Sequence, residues 1–270
     1  MDSPQQINGG ISMYYDAIIL AGGESSSELK KIAPYDNEAL IIIGNYPMIY
    51  YVFHALRQST YVRNIVISGP TDALRNIFPQ KERLFFVNGG ENAIESCAHG
   101  VKLLQEKGIS EQVLIMPSDI PFITTEAIDD FINQTRKVQA DFYYPVTCKE
   151  VNEGKFPGVR RTYVNIKDGI FTGGNLFILR SAIFDQVFDI ALQLVKRRKN
   201  PLAMARLFGF GLVWKYLFRR LSIEAVEKRF YEVLGVKGKA IISPYAEVGV
   251  DIDKPGDLEL ANKYLAGVKF

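Results

Sequence analysis

The sequence predicts an α/β fold: a mostly parallel sheet covered by helices on both faces. Three observations carry that expectation. Short apolar runs of strand length recur along the first two-thirds of the chain. Stretches with helical spacing separate them. Glycine or proline closes run after run, at Gly22-Gly23, Gly69-Pro70, Gly89-Gly90 and Pro117. Strands that alternate with helices pair in parallel, and strands buried on both faces are apolar throughout.

Asp16 to Leu20 (DAIIL) reads as a buried strand halted by the glycine pair. Pro47 to Ser59 is a helix with proline in its first turn, where a missing N–H is harmless. Asn64 to Ser68 is a second strand and Arg83 to Val87 a third. Asn92 to Leu104 places Ile94, Cys97, Val101 and Leu104 on one helical face. Gln112 to Met116 is a fourth strand, and Thr124 to Lys137 a helix capped by Thr124 or Thr125. Between Asp141 and Leu179 the pattern changes. Phe142 to Thr147, Val159 to Ile166 and Asn175 to Leu179 are β-type runs that extend the sheet and wall a cleft. Ala182 to Leu234 is helical and basic. Strand-like Ala240 to Ser243 leads to a last helix, Pro255 to Leu265. One domain over 1–270, with a helical insertion at about 182–240, is the expected organisation.

Composition bounds the function. The 270 residues are 47% apolar and 23% charged, which excludes a disordered or collagen-like chain. No apolar run is long enough to span a bilayer. Met1 to Ile11 lacks the basic-then-apolar pattern of a signal peptide. Cys97 and Cys148 make no disulfide framework, and no zinc spacing occurs, so a cytoplasmic setting is expected. The net charge of +2 hides an asymmetry: Lys196 to Ala240 holds twelve Lys and Arg against three Glu, so the remainder is acidic.

Ligands of open α/β sheets gather beyond the carboxyl ends of the strands. Ala21–Glu24, Gly89–Asn92 and Ser118–Asp119 occupy those places. Two glycines after a buried strand allow a sharp turn whose free amides suit an anion, though an ordinary strand-to-helix turn reads the same way. Lys30 and Lys31 follow within reach of a phosphate held there.

AIILAGGESS followed by EALIIIGNYPMIYYVFHAL resembles the opening of the MobA-like NTP transferases, and is similar to the cytidylyltransferases of isoprenoid-precursor synthesis. Gly89-Gly90-Glu91-Asn92 with Ser96 resembles a base-proximal segment of the latter. Ser118-Asp119-Ile120-Pro121 resembles the family's metal loop, and Val250 to Leu258 (VDIDKPGDL) its end motif. The resemblance covers residues 15 to 180 and 243 to 265. It implies a three-layer α/β sandwich with a mixed, mainly parallel sheet, similar to that of GT-A glycosyltransferases. It also implies transfer of a nucleotidyl group from an NTP to a small phosphorylated acceptor, with magnesium as cofactor and pyrophosphate as leaving group.

The reaction explains the residue types. Both reactants are anionic, so positioning and charge neutralisation must dominate. By resemblance, Leu20, Ala21, Gly22, Gly23, Glu24, Ser25, Gly90, Asn92, Ser96 and Ser118 would hold the nucleotide. Asp119 and Asp253 would hold magnesium, an ion that favours carboxylate oxygens. A helix cap is the alternative for Asp119, while Asp251 and Asp257 read as a turn residue and a first-turn acid. Two positions depart from the family: Ser27 stands where an Arg is usual, and Glu38 where a Lys is usual. Lys30 and Lys31 are the candidates to replace those catalytic cations. The departures also suit a non-catalytic nucleotide or nucleotide-sugar binding protein. A glycosyltransferase on a related fold would carry a D-x-D after the central strand, and only Asp119 stands there.

Arg160 and Arg161 suit an acceptor phosphate or, equally, guard a strand edge. Asn175, in TGGN, suits an acceptor hydroxyl, while close strand packing explains its glycines as well. His54 and His99 fall in helices without a nucleophilic partner. Leu202 to Leu221 interleaves aromatics with Arg206, Lys215, Arg219 and Arg220. Three readings stay open for it: a small helical core with a cationic face, peripheral contact with an anionic membrane, and a pocket for a lipid-like acceptor. No nucleic-acid motif occurs, and the oligomeric state is not readable.

Overall fold

A computed structural model describes residues 14–78, 82–197 and 209–270. Its strands are β1 (Tyr15–Leu20), β2 (Ile42–Ile43), β3 (Tyr46–Pro47), β4 (Val62–Gly69), β5 (Leu84–Asn88), β6 (Gln112–Pro117), β7 (Phe142–Cys148), β8 (Val164–Ile166), β9 (Gly169–Gly173), β10 (Phe177–Arg180) and β11 (Gly238–Ser243). Nine of them form one sheet in the order β5-β4-β1-β6-β10-β7-β9-β8, with β11 beside β7. β5, β4, β1 and β6 are parallel. β10 runs antiparallel to β6 and to β7, and β11 runs parallel to β7. The sheet is thus mixed and mainly parallel, with helices on both sides, as the sequence implied.

The helices are α1 (Ser27–Lys30), α2 (Met48–Gln58), α3 (Thr71–Ile77), α4 (Ala93–Glu106), α5 (Thr125–Thr135), α6 (Lys149–Lys155), α7 (Phe184–Arg197), α8 (Phe210–Leu217), α9 (Ile223–Leu234) and α10 (Pro255–Leu265). Strand alternation sorts them into layers. Ala17 and Ile19 of β1 pack with Phe53 and Leu56 of α2 and Ile128 and Phe131 of α5. Ile18 faces the other way, into Cys97 and Val101 of α4 and, through α7 and α9, Phe184 and Leu234. A third cluster joins Leu29, Ile43, Tyr51, Phe122, Val250, Ile252 and Leu258. It clamps the loops beyond β1 and β6 to the C-terminal helix.

The sequence reading needs local correction. Gly69-Pro70 stops β4, but Pro70 then opens α3. The strand expected at Val159–Ile166 is confined to Val164–Ile166, and α6, a helix set between β-type runs, was not foreseen. β11 begins at Gly238, inside the stretch assigned to the helical insertion, and belongs to the main sheet. That stretch contains α7, α8 and α9; its residues 198–208, including Leu202, Arg206, Leu207 and Phe208, lie outside the described residues. No helix among the described residues is long and apolar enough to cross a membrane.

Candidate active site

The site is built where β1 and β6 end. Ser118 N donates to Leu20 O (3.0 Å), so the two strands open side by side. The chain then crosses Ala21 to Ser25. Ala21 N donates to Ser68 O (2.7 Å) and Ser25 N to Asp36 O (2.9 Å). The amides of Gly22, Gly23 and Glu24 make no hydrogen bond among the described residues. Three consecutive amides at the mouth are therefore free to meet a ligand. Asn37 Nδ2 donates to Ala21 O (2.8 Å) and Glu38 N to Gly23 O (3.2 Å), which holds the following segment over the turn.

Carboxylates converge on this mouth. Asp119 follows β6 by two residues. Val250 and Ile252 are buried in the third cluster, so the alternation of an extended segment turns Asp251 and Asp253 to the opposite side. Ile252 N donates to Asp119 O (2.9 Å) and ties the two loops. Asp119, Asp251 and Asp253 each offer an oxygen within 4.8 Å of the others. Glu38 closes in from the fourth side. A Cβ added to Gly23 would stand 1.8 Å from Glu38 Oε1, so a larger residue there would push that carboxylate aside.

The electrostatics follow from crowding. Burial, then Asp253 and Asp251, pushes Glu38 up to about 7. Burial, then Glu38, Asp251 and Asp253, holds Asp119 well above the usual carboxylate range. Asp253 is raised by burial, then by Asp251 and Asp257. Like charges gathered away from water resist joint ionisation unless a cation enters. Buried polar atoms are normally paired. Here Asp119 Oδ1, Ser118 Oγ, Ser25 Oγ and Asn175 Nδ2 are buried without a partner. All four belong to residues that the sequence marked as ligand-binding.

The model of the MobA-like NTP transferase domain matches residues 17–206. The chain belongs to the MobA-like NTP transferase family. A hypothetical transferase from Thermus thermophilus is 33% identical, with a TM-score of 0.78 over 91% of this chain and 100% of that one. The 4-diphosphocytidyl-2C-methyl-D-erythritol synthase of Anaerococcus prevotii shares 18% identity, with a TM-score of 0.59 over 93% and 96%. CMP:2-keto-3-deoxy-manno-octonic acid synthetase, in complex with CTP, shares 13% identity, with a TM-score of 0.58 over 94% and 99%. These two show the fold. No curated protein matches the chain.

Within this MobA-like frame the expected site residues divide. Asp119 and Asp253 meet, and Asp251 joins them, although it had read as a turn residue. The alternation in VDID was the signal for it. Asp119 caps no helix, because Thr124 caps α5. Asp257 is the first-turn acid expected, accepting from Lys254 N (3.0 Å). Asn92 is spent as the cap of α4: its Oδ1 accepts from Ile94 N and Glu95 N, and its Nδ2 donates to Glu95. Ser96 Oγ accepts from Gly90 N (3.0 Å) and braces that turn. Leu20 is half-buried at the strand end and Glu24 exposed at the mouth. Arg161 is paired with Asp251, whereas Arg160 is exposed. Lys30 pairs with the exposed Asp36 (2.9 Å), which raises its pKa; Lys31 is exposed without an ion-pair partner among the described residues.

Hard oxygen donors from three carboxylates, one with an orphaned buried oxygen, fit magnesium. Glu38 stands where the resemblance implies a cation, and the structure makes it a further acid beside the same donors.

Proposed function

We propose that the protein transfers a nucleotidyl group from an NTP to a small phosphorylated acceptor, with magnesium held by Asp119, Asp251 and Asp253. The observation that carries this reading is the meeting of those carboxylates beside three free amides and the unpartnered buried hydroxyls of Ser25 and Ser118. An acceptor phosphate oxygen forms the new bond to the α-phosphorus. The bond from the α-phosphorus to the bridging oxygen breaks, and pyrophosphate leaves with that electron pair. When bound, magnesium supplies charge neutralisation for the phosphates.

This chain's own groups do the rest. The Gly22–Glu24 amides hold phosphate oxygens of the NTP. Ser25 and Ser118 hydroxyls and the Asn175 amide donate to the reactants. Arg161 orients Asp251. Glu38 makes the cluster more anionic, which strengthens its demand for divalent metal where relatives use a lysine. Lys30 and Lys31 neutralise the triphosphate at the rim. Titrating a panel of NTPs and phosphorylated acceptors for magnesium-dependent pyrophosphate release tests the proposal. Release with one pairing supports it. NTP binding without release under any pairing favours the binding-only reading that Ser27 and Glu38 motivate.

A further inference from the structure

We propose that the phosphorylated acceptor carries a hydrocarbon chain, which the protein draws from an anionic bilayer into an apolar cavity beside the carboxylate cluster. The inference rests on the transfer reading above for the phosphate end of that molecule. The chain end rests on separate observations.

A cavity of about 230 Å³ lies between the sheet and the helices α4, α7 and α9. Ile94, Tyr144, Phe177, Phe188, Ala191 and Phe230 are among its walls, and the lining presents no polar surface. A peptide or sugar there would bury hydrogen-bonding groups without partners, at a cost that a hydrocarbon avoids. Ile94, Phe142, Phe177, Val187, Phe188 and Phe230 are only half-buried, so the walls stand ready for more apolar contact. The cavity reaches the catalytic end of the sheet. Ile94 lies in the first turn of α4, just after the Gly89–Asn92 turn. Tyr144 lies against the acceptor-side turn: a Cβ added to Gly173 would stand 2.3 Å from its hydroxyl oxygen. The charges of Arg161 and Asp251 reach that same hydroxyl. A phosphate at the cluster and a chain under Tyr144 are thus two ends of one ligand path.

The insertion that closes the cavity also carries the surface that would meet lipid. Around α8, Trp214 is 60% exposed, Leu217 64% and Phe218 66%. The Trp214 and Phe218 rings stack at 5.7 Å. Lys215, Arg219 and Arg220 are exposed among them, and no acidic residue occurs from Gly209 to Leu221. Exposed aromatics ringed by cations complement anionic headgroups above an acyl boundary.

Two measurements on the full chain test this. Calorimetric titration with butyl, octyl and dodecyl phosphate, below their micellar concentrations, should show affinity rising up to about fourfold per methylene, then levelling as the chain outgrows the cavity. Ala191→Trp, which fills the cavity from α7, should flatten that rise without changing NTP affinity. If that variant melts early, Ala191→Leu should bring the plateau to shorter chains. Trp214 is the chain's one tryptophan. Its emission should shift to the blue with phosphatidylserine vesicles and not with phosphatidylcholine, and Lys215→Glu should abolish the shift. Equal affinity for all three phosphates, or a rise untouched at Ala191, would overturn the chain pocket. An unshifted Trp214 with anionic vesicles would overturn the bilayer source and leave α8 to a protein partner. Pyrophosphate release that is indifferent to chain length sinks this inference while nucleotidyl transfer stands. A chain-length rise without any NTP binding sinks the transfer reading and keeps the cavity.

Discussion

Asp16 and Asp119 lie at opposite ends of the paired strands β1 and β6, and both carboxyl groups are withdrawn from water. Asp16 is fully buried and saturated. Its oxygens accept from Arg63 Nε (3.2 Å) and Nη2 (3.0 Å), from Asn64 N (3.3 Å) and Nδ2 (2.9 Å), and from Ser110 N (2.6 Å). Asp119 has the opposite surroundings. Its Oδ1 has no donor, and its charged neighbours are Glu38, Asp251 and Asp253. One end of the sheet completes its acid with the chain's own cation and amides. The other gathers acids that the chain's own cations complete only in part: Arg161 pairs with Asp251, while Asp119 Oδ1 is left without a donor. The difference separates an acid that stabilises the fold from acids that the fold carries for chemistry, although burial alone would not distinguish them.

The largest effect should come from emptying the unfinished end. Asp119→Asn is expected to lower magnesium-dependent pyrophosphate release by at least about a hundredfold, and to raise the melting temperature of the metal-free protein by relieving repulsion. Unchanged turnover would reject the metal role of Asp119. Asp16→Ala should do the reverse. Removing one partner of a buried ion pair costs about 3 kcal/mol here, at the low end of the usual range because Arg63 is partly exposed. Urea unfolding would read that loss, and magnesium affinity should stay within about twofold, since additivity holds between distant sites. Should Asp16→Ala weaken metal binding as Asp119→Asn does, the two ends would not be separable.

A pH series sharpens the same contrast. Glu38 titrates near 7 in the folded chain against an ordinary value of 4.5. Between those values the folded state keeps a proton that the unfolded state has released. The stability of the metal-free protein should therefore fall as pH rises from about 4.5 to 7, with Asp119 and Asp253 adding in the same direction. Magnesium should cancel the fall, because it binds the ionised acids. Melting curves with magnesium and with chelator should lie close together at pH 5 and far apart at pH 8. Curves that stay together across the range would show that the cluster takes no metal.

Much of this was legible in the sequence. Strand positions, the glycine mouth and Asp119 follow from apolar runs stopped by glycine or proline, because those signals are local. Asp251 was half-visible: Val250 and Ile252 flank it in strict alternation, but only the third cluster shows which face is buried. Asn92 and Ser96, which the resemblance marks as nucleotide-binding, also serve as a helix cap and a turn brace, roles that only their neighbours' placement reveals. The place of Glu38 escaped for a different reason. Position 38 lies 81 residues from Asp119 in the chain, and no local pattern reports that a loop folds back over Gly23. Helices α3 and α6 escape the sequence reading because each is only seven residues long and lies between strand-like runs, too short to show a helical period.

Glu38 offers the next smaller test. Glu38→Lys restores the family's cation, and should weaken magnesium binding about tenfold while tightening metal-free NTP binding, in line with a charge reversal beside a partly buried site. The smallest effects belong to the rim lysines, and they can be ranked. Lys30 is held by Asp36, whose side chain is 99% exposed, and water and salt weaken such surface pairs. Lys31 has no ion-pair partner among the described residues and is free to follow a triphosphate. Lys31→Ala should therefore weaken NTP binding by about threefold at low salt, Lys30→Ala by less, and both differences should vanish at about 0.5 M salt as screening shortens the reach of exposed charges. Equal losses that persist in salt would place both lysines in direct contact with the nucleotide, and the mouth would then extend past Ser25 to the end of α1.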